Sequence, residues 1–168
     1  HWMNRSEKGL SISTMKRMFN QKEKFGYESI LLTSKGVNSD NWIKSAHIID
    51  STKKIKYMIA VRPYQQSAQI VNQMAAAFAE ISPNRLMLNI VSGDLHKDET
   101  SVEDLIWVND SLDTPEKRLN YTDEWLSKFI DLSEGTVSEI VMGGHSNKTK
   151  LMAEKYGATH LAMLNMHK

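Results

Sequence analysis

Two stretches of the sequence place polar or glycine residues directly after an apolar run, where they could hold a small ligand. In the first, the apolar run at residues 86–91 contains one amide, Asn89, and is followed by Ser92, Gly93 and Asp94. A buried amide must find hydrogen-bond partners or cost on the order of 1–3 kcal/mol. Asn89 and the polar residues after it therefore have two possible roles. They bind a ligand where the strand ends, or Asn89 only forms hydrogen bonds with neighbouring backbone and residues 92–94 only form a turn.

The second stretch is Gly-Gly-His-Ser at residues 143–146, between an apolar run and a helical pattern. Two glycines let a ligand approach the backbone closely, and a helix N-terminus supplies free N–H groups and partial positive charge. Ser146 adds a hydroxyl, so the stretch suits a phosphate group. It equally suits a glycine turn in which Ser146 caps the helix, and the spacing alone does not decide between the two.

Composition excludes several classes of function. The chain has 168 residues, enough for one domain with a substantial core. Its 21 Lys and Arg residues balance 20 Asp and Glu residues, so we expect neither nucleic acid nor a membrane as partner. The absence of cysteine excludes disulfides and thiolate chemistry, and His96, Asp98 and Glu99 match no standard metal-ligand spacing. We expect a cytoplasmic protein without a metal site.

Strands and helices that could position these stretches alternate along the chain. Short apolar runs predict strands at residues 29–33, 55–62, 85–91, 138–142 and 160–164. Helical periodicity predicts helices at residues 11–25, 41–50, 66–81, 115–132 and 147–156. This alternation predicts an α/β fold with a mostly parallel sheet, whose ligands bind at the carboxyl ends of the strands. Arg62 lies at one of these ends, directly before Pro63.

The same periodicity predicts which sides of the helices are buried. In the helix at residues 41–50, the predicted apolar side carries Trp42, Ile43, Ala46 and Ile49. In the helix at residues 66–81, it carries Ile70, Met74, Ala75, Phe78 and Ile81. The methionines are interpreted as core packing, because Met fills irregular gaps.

Taken in order, these segments resemble the bacterial luciferase-like flavin-dependent monooxygenases, most closely the alkanesulfonate monooxygenase branch. The resemblance is carried by residues 26–32, 60–63, 74–76 and 85–93, by Arg118, and by residues 122–125 and 141–146. It spans roughly residues 11–165, and the ordered set is more specific than any one motif.

The resemblance implies a TIM-type (β/α) barrel, of which this chain contains about five βα units. It implies reduced FMN, supplied by a separate flavin reductase, and insertion of one oxygen atom from O2 into a small organic substrate such as a sulfonate. The deazaflavin F420 in place of FMN is a less favoured alternative. By the same analogy we expect a homo-oligomer, a homodimer paired through the helices at residues 40–50 and 66–81.

The resemblance also assigns site residues. The positions that match the family's flavin contacts are Asn89, Val91 and Ser92 at the ring, and Arg118, Gly143, Gly144, His145 and Ser146 at the phosphate. Ser39 and Arg62 match positions expected to line the substrate pocket. The flavin itself activates oxygen in this family, so the absence of a nucleophile–base pair is not evidence against an enzyme.

The chain departs from the family pattern in composition and in length. Leu119 stands where the family has Tyr, and His145 stands where Ser is common. A full barrel takes about 250 residues, so residues 1–168 are interpreted as one incomplete domain. Its first strand and its second half are missing, together with the family's active-site His and Arg, and we name no catalytic residue.

An open half-barrel would expose sheet edges and apolar faces. We therefore expect that the chain is part of a larger barrel or is completed by a partner. Two alternatives to a monooxygenase stay open for this reason. One is a non-catalytic, flavin-binding relative, and the other is a subunit that completes another barrel.

Overall fold

The structure is a computed structural model that describes residues 11–33, 40–92 and 112–162. Within these residues, five strands alternate with five α-helices, and one 3₁₀ turn (Ile49–Ser51) follows the second helix. In chain order the elements are α1 (Ile12–Lys24), β1 (Ser29–Leu32), α2 (Asn41–Ile48), β2 (Lys56–Val61), α3 (Ala68–Ile81), β3 (Leu86–Ile90), α4 (Pro115–Ser133), β4 (Glu139–Gly143), α5 (Asn147–Lys155) and β5 (Thr159–Leu161). The predicted order of elements is confirmed.

The helix starts follow from side-chain caps. Each of the five helices is preceded by a residue whose side chain accepts a hydrogen bond from the backbone N–H three residues later, namely Ser11, Asp40, Ser67, Thr114 and Ser146. Such caps satisfy N–H groups that have no partner inside the helix. After α1 and α5, Gly26 and Gly157 adopt positive φ angles of 76° and 62°, which favour glycine and end the helix.

The sheet has the strand order β1-β2-β3-β4-β5, and every neighbouring pair is parallel. Because parallel crossovers are right-handed, a sheet whose strands follow chain order has all its connecting helices on one face. This is the topology of a (β/α) barrel rather than of an open sheet with helices on both faces. The described residues form a curled half-barrel, which confirms the predicted fold class.

Alternate residues of each strand face the helices or the inner side of the half-barrel. Tyr57, Ile59 and Val61 of β2 pack in the core between sheet and helices. The register pairs Met58 with Met87, which places both on the inner side. No helix within the described residues is long and apolar enough to cross a membrane.

The predicted buried sides of two helices are partly wrong. In α2, Ile43 is 74% exposed and Ala46 is also exposed, whereas Ser45 is fully buried. In α3, Ile70 and Ile81 are 50% and 52% exposed. The buried residues are instead Trp42, Ser45 and Ile48 in α2 and Ala68, Val71, Ala75 and Phe78 in α3, so the buried sides include small and polar side chains as well as large ones. Hydrophobicity alone therefore misplaces the contact face.

Candidate functional site

Asn89 lies on the middle strand of the sheet, near the carboxyl edge, by which we mean the side where the carboxyl ends of the parallel strands lie. On β3 it is paired with Ala60 of β2 and Val141 of β4, and its side chain belongs to the inner side. The residue is only 5% exposed, and its Oδ1 atom has no hydrogen-bond partner among the described residues. Leaving a buried acceptor unpaired costs about 1–3 kcal/mol. Such a cost points to a group that supplies the missing donor.

Gly143 lies beside this amide at the end of β4. A Cβ atom at Gly143 would lie 3.2 Å from Asn89 Oδ1 and 3.2 Å from Val91 Cγ1. Both distances are shorter than ordinary carbon contacts, so any side chain at Gly143 would displace its neighbours. The structure thus brings together three residues that the sequence separates by up to 54 positions (143 − 89). Together, Asn89, Val91 and Gly143 form what we call the glycine cradle.

The loop after β4 is held by β5 and α5. The Gly144 N–H donates to the Leu161 carbonyl at 3.2 Å, and the Gly144 carbonyl accepts from His160 Nε2 at 2.9 Å. A Cβ atom at Gly144 would lie 3.0 Å from Cγ2 and Oγ1 of Thr149. Gly144 is therefore fixed on three sides. Sequence patterns give no signal for His160, because its contact depends on how β4 pairs with β5.

Ser146 caps α5, which is one of the two roles that its sequence position left open. Its Oγ accepts from the Thr149 N–H at 3.1 Å and lies 2.8 Å from Thr149 Oγ1. His145, immediately before it, is exposed. The cap uses one N–H group of the helix and leaves the remaining N-terminal N–H groups and their partial positive charge available to an anion.

Arg118 is in the first turn of α4 and is only 3% exposed. Its Nη1 donates to the carbonyls of Leu112 and Asp113 at 2.9 and 3.2 Å, whereas its Nε has no partner among the described residues. Lys148 of α5 forms an ion pair with Glu116 of α4 at 2.8 Å. The first turns of α4 and α5 are therefore adjacent.

The other predicted site residues have the following positions. Ser92 is half-buried two residues after the end of β3, and Arg62 is half-buried directly after β2. The Val91 N–H donates to the Val61 carbonyl at 3.0 Å, so the ends of these strands are side by side. Ser39 lies outside the described residues.

The described part of the chain holds no group of three His, Asp or Glu side chains that could bind a metal ion. The segment with His96, Asp98 and Glu99 lies outside the described residues.

The amino edge of the sheet contains a second buried arginine. Arg85 Nε donates to the Ile55 carbonyl at 3.1 Å, and Nη1 donates to the carbonyls of Thr52 and Ile49 at 2.9 and 3.3 Å. Nη2 donates to Thr52 Oγ1 and, at 3.0 Å, to the Ile55 carbonyl. The guanidinium also lies 5.4 Å from the centre of the Tyr57 ring. We call these contacts the Arg85 network.

Glu23 supports the Arg85 network from α1. Its carboxylate accepts from the backbone N–H groups of residues 53–55, at 2.5–3.1 Å. Burial raises the pKa of Glu23, but the three N–H bonds and the positive charge of Arg85 outweigh burial, so the pKa lies below its usual value. Burial raises the pKa of Tyr57, whose hydroxyl lies 3.0 Å from Thr52 Oγ1.

Comparison with known proteins relates this architecture to one family and to several solved structures. The sequence profile of the family described as luciferase-like monooxygenase matches residues 1–154. Long-chain alkane monooxygenase (LadA) is similar with a TM-score of 0.70 and 9% identity, over 85% of this chain and 47% of that protein. MsnO8 in its apo form is similar with a TM-score of 0.67 and 14% identity, over 92% of this chain and 51% of that protein.

A third similar structure is a reductase rather than a monooxygenase. Coenzyme F420 dependent tetrahydromethanopterin reductase from Methanopyrus kandleri is similar with a TM-score of 0.60 and 14% identity, over 91% of this chain and 61% of that protein. At such identities the structural likeness shows the fold alone. The chain spans between 47% and 61% of the length of these three proteins.

Proposed function

We propose that this chain, which belongs to the luciferase-like monooxygenase family, forms the flavin-binding half of a barrel that inserts one atom of O2 into a small organic substrate. The observation that carries the proposal is the glycine cradle, where the buried Oδ1 of Asn89 lacks a donor among the described residues, beside a position that only glycine fills without displacement. A site with an unpaired acceptor and an open backbone suits a flat ligand that presents N–H groups.

The residues present fit a flavin. The isoalloxazine ring is planar and carries N–H groups at its edge, so it could lie against Gly143 and donate to Asn89 Oδ1. The loop at residues 143–146 and the N-terminus of α5 would hold the phosphate of FMN. A bound reduced flavin would supply the electrons that activate O2.

The chain's own residues would orient the ring and exclude water from it. Met87 and Val141 flank Asn89 on the inner side of β3 and β4, and they are only 4% and 2% exposed. Apolar side chains around the ring lower the local polarity and remove water, which strengthens each hydrogen bond to the ligand. Arg118 would add positive charge at the carboxyl edge, near the proposed phosphate position.

The finer parts of the proposal follow from the family resemblance. They comprise FMN as the flavin, a separate flavin reductase as its supplier, Ser92 at the ring, Ser39 and Arg62 in the substrate pocket, and a homo-oligomer located in the cytoplasm. A sulfonate as substrate and membership of the alkanesulfonate branch also stay predictions. Since the chain spans about half of each similar structure, the activity belongs to the whole protein rather than to this half.

A second candidate is an F420-dependent oxidoreductase. One similar structure, at a TM-score of 0.60, is an F420-dependent reductase, so a protein of this fold can use F420. F420 also carries a planar ring system and a phosphate, so the glycine cradle and the α5 N-terminus would serve it in the same way. A flavin-binding relative without oxygenase activity is the third possibility.

The test combines ligand binding with isotope labelling in the full-length protein. FMN, reduced FMN and F420 are titrated anaerobically, and turnover is then followed with a flavin reductase, NADH and ¹⁸O2 over a panel of sulfonates, alkanes and aldehydes. We expect tight binding of reduced FMN and one ¹⁸O atom in the product. Binding of F420 with hydride transfer and no oxygen incorporation would support the second candidate instead. Absence of binding by all three ligands would contradict the proposal.

Variants at Gly143 connect this test to the glycine cradle. Gly143→Val places three carbon atoms where a single Cβ already approaches Asn89 and Val91 too closely. We expect FMN affinity to fall about 30-fold, or ~2 kcal/mol. Gly143→Ala, with one carbon atom, is the matched control and should lose less. Equal FMN affinity in all three proteins would show that no ligand lies against Gly143.

A further inference from the structure

His160 contacts the proposed phosphate-binding loop from the strand next to it. It is paired with Met142, a residue of the core between sheet and helices, so its side chain lies on the helix-facing side. Its neighbour Leu161 is paired with Gly143 and lies on the inner side. His160 therefore cannot reach a ring bound against Gly143, but its Nε2 lies 2.9 Å from the Gly144 carbonyl.

This hydrogen bond fixes the orientation of one peptide unit. The chain contains no cis peptide bond in its described residues, and in a trans peptide the C=O and N–H groups point in opposite directions. Since the Gly144 carbonyl points toward His160, the N–H of His145 points away from β5. The N–H of Gly144 is already used by the Leu161 carbonyl. His145 thus presents the first N–H group of the loop that has no hydrogen-bond partner among the described residues, next to the N-terminus of α5.

We propose that His160 is a positioning residue for phosphate binding, acting through the Gly144–His145 peptide. The inference rests on the proposed flavin-binding function and deepens it. Without the His160 donor, the Gly144 carbonyl would be half-buried without its partner, and the peptide could rotate to find another donor. The N–H of His145 would then turn away from the anion. His160 itself touches no ligand.

The chemistry of the hydrogen bond determines which variants are informative. A carbonyl oxygen only accepts, so His160 Nε2 must carry the proton. The side-chain amide of Gln places an N–H group near the Nε2 position, whereas the shorter Asn places one near Nδ1. Gln should therefore keep the bond to Gly144. Phe keeps the size of the ring and removes the donor.

Riboflavin separates a phosphate effect from a ring effect, because it has the ring of FMN without the phosphate. The experiment measures dissociation constants of FMN and riboflavin for the full-length protein and for His160→Phe, His160→Asn and His160→Gln. We expect Phe and Asn to weaken FMN binding about tenfold and to leave riboflavin within about twofold. Gln should restore FMN affinity to within about threefold of the original.

Other patterns of FMN and riboflavin affinity would contradict the proposal in different ways. If the original protein prefers FMN and the Phe and Asn variants keep that preference, the role of His160 is wrong while the flavin site stands. If the original protein binds FMN no better than riboflavin, the phosphate site itself is wrong. Equal losses for both ligands with a lower melting temperature would show a purely structural role. His47→Phe, at an exposed position on α2, is the control for replacing a histidine elsewhere.

Discussion

The two edges of the sheet use buried polar groups in opposite ways. At the amino edge, Nε, Nη1 and Nη2 of Arg85 all donate to protein acceptors. At the carboxyl edge, Arg118 is even less exposed, but its Nε has no partner among the described residues, and neither has the Oδ1 of Asn89. Buried polar groups are normally paired. The unpaired Asn89 Oδ1 and Arg118 Nε therefore make the carboxyl edge a candidate ligand site, although Thr136 Oγ1, before β4, is also buried and unpaired among the described residues.

The contrast follows the division of labour in (β/α) barrels, where the amino edge stabilises the fold and the carboxyl edge carries the chemistry. The Arg85 network joins β2, β3 and the segment after α2 through backbone carbonyls. The glycine cradle places Asn89 and Val91 beside Gly143 of β4, where an added Cβ atom would be crowded, and no described residue donates a hydrogen bond to Asn89 Oδ1. Substitutions at the two edges should therefore separate stability from ligand binding.

The largest effect is expected from Arg85→Met. The change removes every donor of the Arg85 network and leaves the carbonyls of Ile49, Thr52 and Ile55 without that partner. We expect the free energy of unfolding to fall by about 3–5 kcal/mol, with little change in the FMN affinity of the folded protein. Urea denaturation and FMN titration measure the two quantities separately.

Arg85→Lys is the matched control, because lysine keeps the charge and supplies fewer directed donors than the guanidinium. It should lose less stability than the Met variant. A Met variant within about 1 kcal/mol of the original protein would mean that the Arg85 network does not stabilise the fold.

An effect of intermediate size is expected from Asn89→Leu, which should raise the stability of the ligand-free protein and lower its FMN affinity. Leucine has a similar size and removes the unpaired Oδ1, so the ligand-free protein should become more stable by about 1 kcal/mol. The same change removes the acceptor for the ring, and FMN affinity should fall about tenfold. Thermal denaturation without ligand and FMN titration provide the two measurements.

Met58→Leu is the control for this prediction, since it is a volume-conserving change on the inner side of the neighbouring strand β2. It should alter neither quantity substantially. If Asn89→Leu lowered stability and left FMN affinity unchanged, Asn89 would have a purely structural role, which is the alternative that the sequence left open.

Much of the fold could be predicted because it depends on local signals. Ser11 and Gly26 mark the ends of α1, and the continuous apolar run of β3 identifies a strand buried on both faces. The buried side of α2 was predicted only in part, because Trp42 and Ile49 are buried while Ile43 is 74% exposed and Ser45 is fully buried. The difference depends on tertiary packing, which a local pattern does not contain.

The residues of the candidate site could be predicted from their types, but their arrangement in space could not. Asn89 and Gly143 each stand out in the sequence, as an amide in an apolar run and as a glycine after a strand. Their contact depends on the register of β3 and β4, which pairs Asn89 with Val141. His160 gives no local signal, because its partner Gly144 is 16 positions away, in the loop after the neighbouring strand.

The smallest effect is expected at Glu23 and should appear only in acid. Because its pKa is lowered in the folded protein, the carboxylate stabilises the fold above the usual glutamate value of 4.5, and this stabilisation is lost as pH falls through the lowered pKa. The original protein should lose stability as the pH falls below the usual glutamate value of 4.5, and Glu23→Gln should lose less over that range.

Urea denaturation over a series of pH values measures this difference. Glu80→Gln, which removes an exposed carboxylate from α3, is the control and should keep the acid response of the original protein. FMN affinity at neutral pH should be the same in all three proteins, because Glu23 accepts from the backbone at residues 53–55, on the amino edge. An identical acid response in the Glu23→Gln variant and the original protein would mean that these three N–H bonds do not hold the carboxylate in its charged form. A change in FMN affinity would mean that the two edges are coupled. The amino edge would then affect ligand binding as well as stability.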